Sequence, residues 1–328
     1  MNRRNLLIVL SLGALVAPVA SIAQQQGKVW RIGFFYLGSR QSAIDTGRYL
    51  QFLQGMRELG YVEGKNFAVE ARFADGETGR LPGLAAELVR LKVDVIVVTG
   101  NAAIHAARRA TTTIPIVVTT SPDPVAEGFA ASMARPGGNV TGFLASVDLT
   151  SKQFELLMIT VPGISRVAVL ANPTNTAHPP QLKTVQAAAQ KAGIQILVVS
   201  ASSPEDIERG VATMARERSQ ALLIMGDTFF VQQSRQLAEL ALKHRIASIY
   251  TQREYVKAGG LMSYGQDLAE IFRRAAGYVD KIFKGTKAGE LPFQRYTRTY
   301  MVINRKTAKA LGITISQELL LRADEVIE

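Results

Sequence analysis

The chain is 328 residues long, carries a formal charge of +11 and contains no cysteine, which excludes disulfides and thiolate metal sites. Its basic residues are scattered, with no run of five or six, so the charge reads as a solvated surface that favours anionic ligands and not as a nucleic-acid footprint. After residue 23 no apolar stretch is long enough to span a bilayer as a helix, and the length allows about two ordinary domains.

The first 23 residues, "MNRRNLLIVLSLGALVAPVASIA", combine a basic start (Arg3, Arg4), an apolar run and the small-x-small pattern Ser21-Ile22-Ala23. This is the layout of an export signal cleaved after Ala23. The apolar run is about 15 residues, short of the ~20 that a spanning helix needs. The alternative is an uncleaved anchor, which Gly13 and Pro18 disfavour by breaking the segment. Cleavage leaves 305 residues and a charge of +9, because Arg3 and Arg4 depart. With no cysteine to carry a lipid, the mature protein is expected to be released without an anchor.

From Val29 onward short apolar runs alternate with amphipathic segments. "VWRIGFFYL" (29–37) reads as a buried strand and "TGRYLQFLQGMRELGY" (46–61) as a helix ending near Gly60. A strand is expected at 66–74, a helix at 79–92, a strand at 93–100, a helix at 101–111 and a strand at 114–120. Short β-branched runs separated by helical patterns indicate a parallel sheet covered on both faces. The order then recurs, from "RVAVLANPT" (166–174) through "ALLIMGDT" (221–228) to "ASIYTQRE" (247–254). Equivalent points fall at Arg31 and Arg166, Gly100 and Gly226, and Thr120 and Thr251, with offsets of 135, 126 and 131. The fold class expected is therefore α/β, with two doubly wound parallel sheets.

In such sheets ligands gather outside the carboxyl ends of the strands. Two lobes with those edges facing each other enclose a cleft. One wall offers Tyr36, Ser39, Thr99, Gly100, Asn101, Ala102, Thr120 and Ser121; the other offers Asn172, Thr174, Asp227, Thr228, Phe229 and Glu254, with Tyr264 at the border. In "VTGNAA" a helix begins at about Asn101, and its free N–H groups suit a carboxylate. Asn101 either caps that helix alone or caps it and binds ligand. Asp227 can accept an ammonium through a charge-assisted bond, or serve as an N-cap only; Glu254 is a second candidate. Of Phe229 and Phe230, one is expected to face the cleft. "SPDP" (121–124) reads as a strand end followed by a helix capped by Asp123, with Pro124 at its first position.

Catalytic machinery is not apparent. His105, His178 and His244 lack metal-ligand spacing, and the chain has no G-x-S-x-G elbow, no G-x-G-x-x-G and no P-loop. No metal or cofactor is expected. "RPGGNVTG" (135–142) reads as a turn.

Several stretches in order carry a resemblance: "LQGMRELGYVEGKN" (53–66), "SPDPVAEGFAASMARPGGNVTGF" (121–143), "VAVLANPTN" (167–175), "GGLMSYGQD" (259–267), "AAGYVDKIFKGTKAGELP" (275–292), "INRKTAKALGITI" (303–315) and "LLLRADEVIE" (319–328). Together they resemble the ABC-transporter substrate-binding protein family typified by tryptophan/tyrosine importers. The resemblance implies a type I periplasmic binding protein fold: two flavodoxin-like lobes, 28–145 plus 263–293 and 146–262 plus 294–328, joined by a hinge of three segments. The crossings would fall near 142–147, 261–265 and 291–296. It also implies a periplasmic monomer that captures a small solute, such as an aromatic amino acid, and meets a membrane permease and an ATPase. An exported enzyme or a sensory receptor on the same scaffold are the alternatives.

Overall fold

The computed structural model describes residues 28–121, 123–144 and 149–328. The expected export signal and residues 145–147 of the first expected crossing lie outside them.

The first lobe contains strands β1 (Trp30–Tyr36), β2 (Phe67–Phe73), β3 (Val95–Val98), β4 (Ile116–Ser121) and β5 (Val140–Leu144), with helices α1 (Arg40–Asp45), α2 (Arg48–Glu58), α3 (Leu81–Arg90) and α4 (Asn101–Ala110). The second repeats the plan with β6 (Arg166–Ala171), β7 (Gln195–Ser200), β8 (Ala221–Ile224), β9 (Ala247–Tyr250) and β10 (Met262–Gln266), accompanied by α5 (Leu149–Thr160), α6 (His178–Ala192), α7 (Pro204–Arg216), α8 (Thr228–Gln232), α9 (Ser234–Lys243) and α10 (Arg253–Lys257). Helix α11 (Leu268–Phe283) and β11 (Gln294–Arg295) return to the first lobe. Then β12 (Thr299–Asn304), α12 (Arg305–Leu311), α13 (Gln317–Arg322) and β13 (Glu325–Ile327) complete the second.

The sheets run β2-β1-β3-β4-β5-β11 and β7-β6-β8-β9-β10-β12-β13. Their first five strands share one order, that of the flavodoxin-like doubly wound sheet. Pairing is parallel throughout except between β10 and β12. Both faces of each sheet are covered. In β1, Ile32, Phe34 and Tyr36 enter one core cluster, while Phe35 enters the cluster on the opposite face. The period of two in a strand's side chains requires that alternation.

Helix α11 closes the first lobe by packing Phe272, Ala275 and Ala276 against Phe52 and Met56 of α2. The two helices approach so closely that a Cβ on Gly55 would collide with the Arg273 carbonyl. Glycine is required there by contact, not by backbone angle.

Three expectations are corrected and one is extended. The helix expected at 46–61 is α2, and a short helix that was not expected, α1, precedes it, the two separated by Gly47 at φ 71°. Asp123 caps a turn and not a helix: its carboxylate accepts from the N–H groups of Val125 and Ala126 at 3.0 Å each, and the chain turns back through Gly128 at φ 68°. Residues 263–266 belong to the second sheet as part of β10, and 294–295 to the first as β11. The glycine at 265, read as a hinge, is instead pressed against the Thr251 backbone, where no side chain fits. The passages between sheets therefore follow Gln266 and Arg295.

Candidate ligand-binding cleft

A cleft of ≈ 470 Å³ lies between the lobes at the carboxyl ends of their strands. Its walls come from the ends of β3 and β4 on one side and of β6, β8 and β9 on the other. The repeat is visible here: Gly100 follows β3 and Gly226 follows β8, the third strand of each lobe.

Helix α4 presents its amino end to the cleft. Gly100 occupies the N-cap at φ 84°, a left-handed value that glycine adopts without steric cost, and no side chain caps the helix. The first-turn N–H groups of α4 thus have no capping partner, and with the helix dipole they favour an anion. Asn101 is not the cap. Its side-chain amide donates to Glu127 Oε1 at 3.0 Å and across the cleft to Thr176 Oγ1 at 3.2 Å. His105, on the same helix, meets the other Glu127 oxygen at 3.0 Å.

Opposite, Asp227 caps α8. One carboxylate oxygen accepts from the Phe229 N–H and the other from the Asn175 side-chain amide, both at 2.8 Å. The side chain is 9% exposed and has no cationic partner among the described residues. Thr228 faces the amino end of α4: a Cβ on Gly100 would lie 3.7 Å from Thr228 Oγ1. Phe229 lines the cleft while Phe230 is in the core.

The 172–178 loop is held by its own polar groups. Asn172 Oδ1 accepts from the Thr174 N–H at 3.0 Å and from its hydroxyl at 2.8 Å. The Asn172 N–H donates to His178 Nδ1 at 2.9 Å, so Nε2 carries the ring proton and donates to the Gly226 carbonyl at 3.1 Å. Burial pushes the His178 pKa below its usual 6.5, which keeps the imidazole neutral and the loop fastened to the end of β8.

Ten of the expected residues line this cleft: Thr99, Gly100, Asn101, Ala102, Thr120, Asn172, Thr174, Asp227, Thr228 and Phe229. Five do not. Tyr36 is fully buried beneath the cleft, where its hydroxyl accepts from Arg48. Ser39 caps α1 by accepting from the Ser42 N–H at 3.1 Å and, with Glu254, borders a separate depression at the rim. Ser121 is fully buried, its alternate position on β4 turning it inward. Tyr264 is on β10, where its hydroxyl accepts from Thr299 at 3.1 Å.

Sequence reasoning missed Arg48, Gln153 and Thr176, all of which line the cleft, as does Gln252 within the 251–254 strand end expected on the second wall. Arg48 is 2% exposed. It donates to the Tyr36 hydroxyl and, across the lobes, to Gln252 Oε1 at 2.6 Å. The only signal was its place just after Gly47, in a helix whose other arginine, Arg57, is exposed.

Two α/β lobes of matching topology, facing each other over a polar cleft at their strand ends, define a type I periplasmic binding protein fold. A model of the family "ABC transporter substrate binding protein" matches residues 45–327, and the chain belongs to that family. Its members bind substrates and are not enzymes. The tyrosine-binding protein of Clostridioides difficile (strain R20291) is 24% identical over 262 residues, 80% of this chain and 75% of that one. A conserved domain protein of Vibrio cholerae O1 biovar El Tor shares the fold with a TM-score of 0.84 and 27% identity, over 91% of this chain and 100% of the other. A Streptococcus domain solved with L-Trp gives a TM-score of 0.84 at 23% identity, over 92% and 100% of the chains. Among the described residues no helix is long and apolar enough to cross a membrane.

Proposed function

We propose that the protein is exported, loses its signal after Ala23, and works in the periplasm as an unanchored, monomeric receptor that delivers an α-amino acid to the permease and ATPase of an ABC importer. The observation that carries the ligand class is the pairing of an uncapped helix end on one lobe with a buried, cation-free carboxylate, Asp227, on the other. An α-amino acid brings one anion and one cation, and complements both. The relative that binds tyrosine and the neighbour holding L-Trp support the same class.

In this reading Thr99, Gly100, Asn101, Ala102 and Thr120 receive the ligand from the first lobe, and Asn172, Thr174, Asp227, Thr228 and Phe229 from the second. Ligand bound between the lobes stabilises the arrangement in which they touch, since only that arrangement offers both halves of the site. The test is a thermal-shift screen of the mature protein, stripped of bound solute, against the twenty common L-amino acids, sugars and carboxylic acids. A rise in Tm confined to amino acids is expected. A rise with sugars alone, or with none of the solutes, refutes the reading.

A further inference from the structure

Among the described residues Arg48 is the one arginine or lysine that lines the cleft, and its burial calls for a reason. Ion pairs elsewhere in the molecule are at least partly exposed. Arg48 has no carboxylate within ion-pair distance among the described residues, and its Nε is buried without a partner. Its two bonded neighbours, the Tyr36 hydroxyl and the Gln252 side-chain oxygen, are neutral. A guanidinium withdrawn from water is tolerated when an opposite charge and further hydrogen bonds compensate it, and here the neutral partners supply only the bonds.

Its surroundings place the missing charge. Gln252 follows β9 and Asp227 follows β8, neighbouring strands in register at Leu223 and Ile249. Arg48, Gln252 and Asp227 all line the same ≈ 470 Å³ cleft, a volume that suits one small molecule. The Tyr255 hydroxyl, buried and unpartnered, feels both charges: burial raises its pKa most, the Asp227 charge raises it further, and the Arg48 charge lowers it.

We infer that Arg48 is a ligand-binding residue that joins the amino end of α4 in taking the α-carboxylate of the amino acid while Asp227 takes the ammonium. This rests on the amino-acid reading above and deepens it. Arg48 belongs to the first lobe and bonds Gln252 of the second, so the carboxylate completes a three-part contact of ligand, Arg48 and Gln252 that exists only when the lobes meet. The planar fork of arginine suits a carboxylate through two parallel bonds, a geometry lysine does not reproduce.

Calorimetric titration of the stripped mature protein with the twenty common L-amino acids and their α-carboxamides tests this. For the acids that bind, the carboxamide is expected to bind at least ~tenfold more weakly to the wild type, equivalent to about 1.4 kcal/mol. Arg48→Gln should lower acid affinity at least ~tenfold and leave carboxamide affinity within about twofold, so that the preference shrinks at least ~fivefold. Circular dichroism of the unliganded variant checks that it folds. Should Arg48→Gln fail to fold, Arg48→Lys decides: a several-fold smaller acid preference supports the assignment, and an unchanged preference overturns it. Equal acid affinity of wild type and a folded Arg48→Gln overturns the assignment while the amino-acid reading stands; equal affinity of wild type for acid and carboxamide overturns both. No binding of any amino acid to the wild type overturns both.

Discussion

Replacing Asp227 by asparagine removes one negative charge from the cleft while keeping a side chain that can cap α8, because asparagine is as good an N-cap as aspartate. The bond from the Phe229 N–H to the new carbonyl is therefore retained, while the new amide nitrogen, a donor, cannot replace the oxygen that accepted from the Asn175 amide. What is also lost is the charge facing a ligand ammonium. A hydrogen bond to a charged group contributes about 1.5–3 kcal/mol, and with Asp227 9% exposed, solvent screening does little to reduce it. At 1.4 kcal/mol per decade this is roughly a 10- to 150-fold loss of affinity. Calorimetry with the amino acid that gives the largest thermal shift reads it directly, and the melting temperature of the unliganded variant should stay within a few degrees of wild type. Unchanged affinity in a folded variant would remove Asp227 from the site and refute the zwitterion complement.

Three further outcomes follow from the same structure. His178→Gln should flatten the pH dependence of stability between about pH 7 and 5. In the wild type burial holds the folded pKa below 6.5, so the unfolded chain binds more protons as pH falls through 6.5, and stability drops there; identical slopes of Tm against pH in the two proteins would contradict this. Phe272→Ala, which empties the α2–α11 seam against Phe34, should cost about 3–5 kcal/mol in denaturant unfolding, and a loss under about 1 kcal/mol would mean that the seam is not packed as described. In the amino-acid screen, serine, threonine, asparagine and glutamine should shift Tm more than tryptophan or tyrosine. Among the described residues Phe229 is the one phenyl ring on the cleft wall, surrounded by hydroxyl and amide groups such as Thr150, Gln153, Gln181 and Ser202; a largest shift with tryptophan would show that the wall rearranges around an aromatic ring.

The fold was legible because buried parallel strands need continuous apolar runs, and those runs appear twice in one order. The strand ends were legible for the same reason: Gly100 and Gly226 stop the runs, and the helix that follows must start at the edge of the sheet. Which side chain at a strand end turns into the cleft was not legible. Tyr36 ends β1, yet the alternation that buries Ile32 and Phe34 carries it into the same core. Ser121 is turned inward by the same alternation, while Thr120 beside it reaches the cleft. Asn101 looked like a cap because capping is a local preference, whereas its actual partners, Glu127 and Thr176, are 26 and 75 residues away. Arg48 was the hardest to see. In a helix rich in polar residues it reads as solvated, and only Gln252, 204 residues further on, brings the second lobe against it. Hinge positions failed for a related reason: glycine marks close backbone contact as readily as flexibility, and at Gly265 the contact is what the structure uses.

Native mass spectrometry of the protein, purified without denaturation, reads the bound ligand itself. One small molecule per chain is expected, with the mass of an amino acid, released on unfolding and absent from a folded Asp227→Asn variant. A bound sugar, a covalent adduct, or a chain that carries nothing and takes up no amino acid when one is supplied would contradict the amino-acid reading.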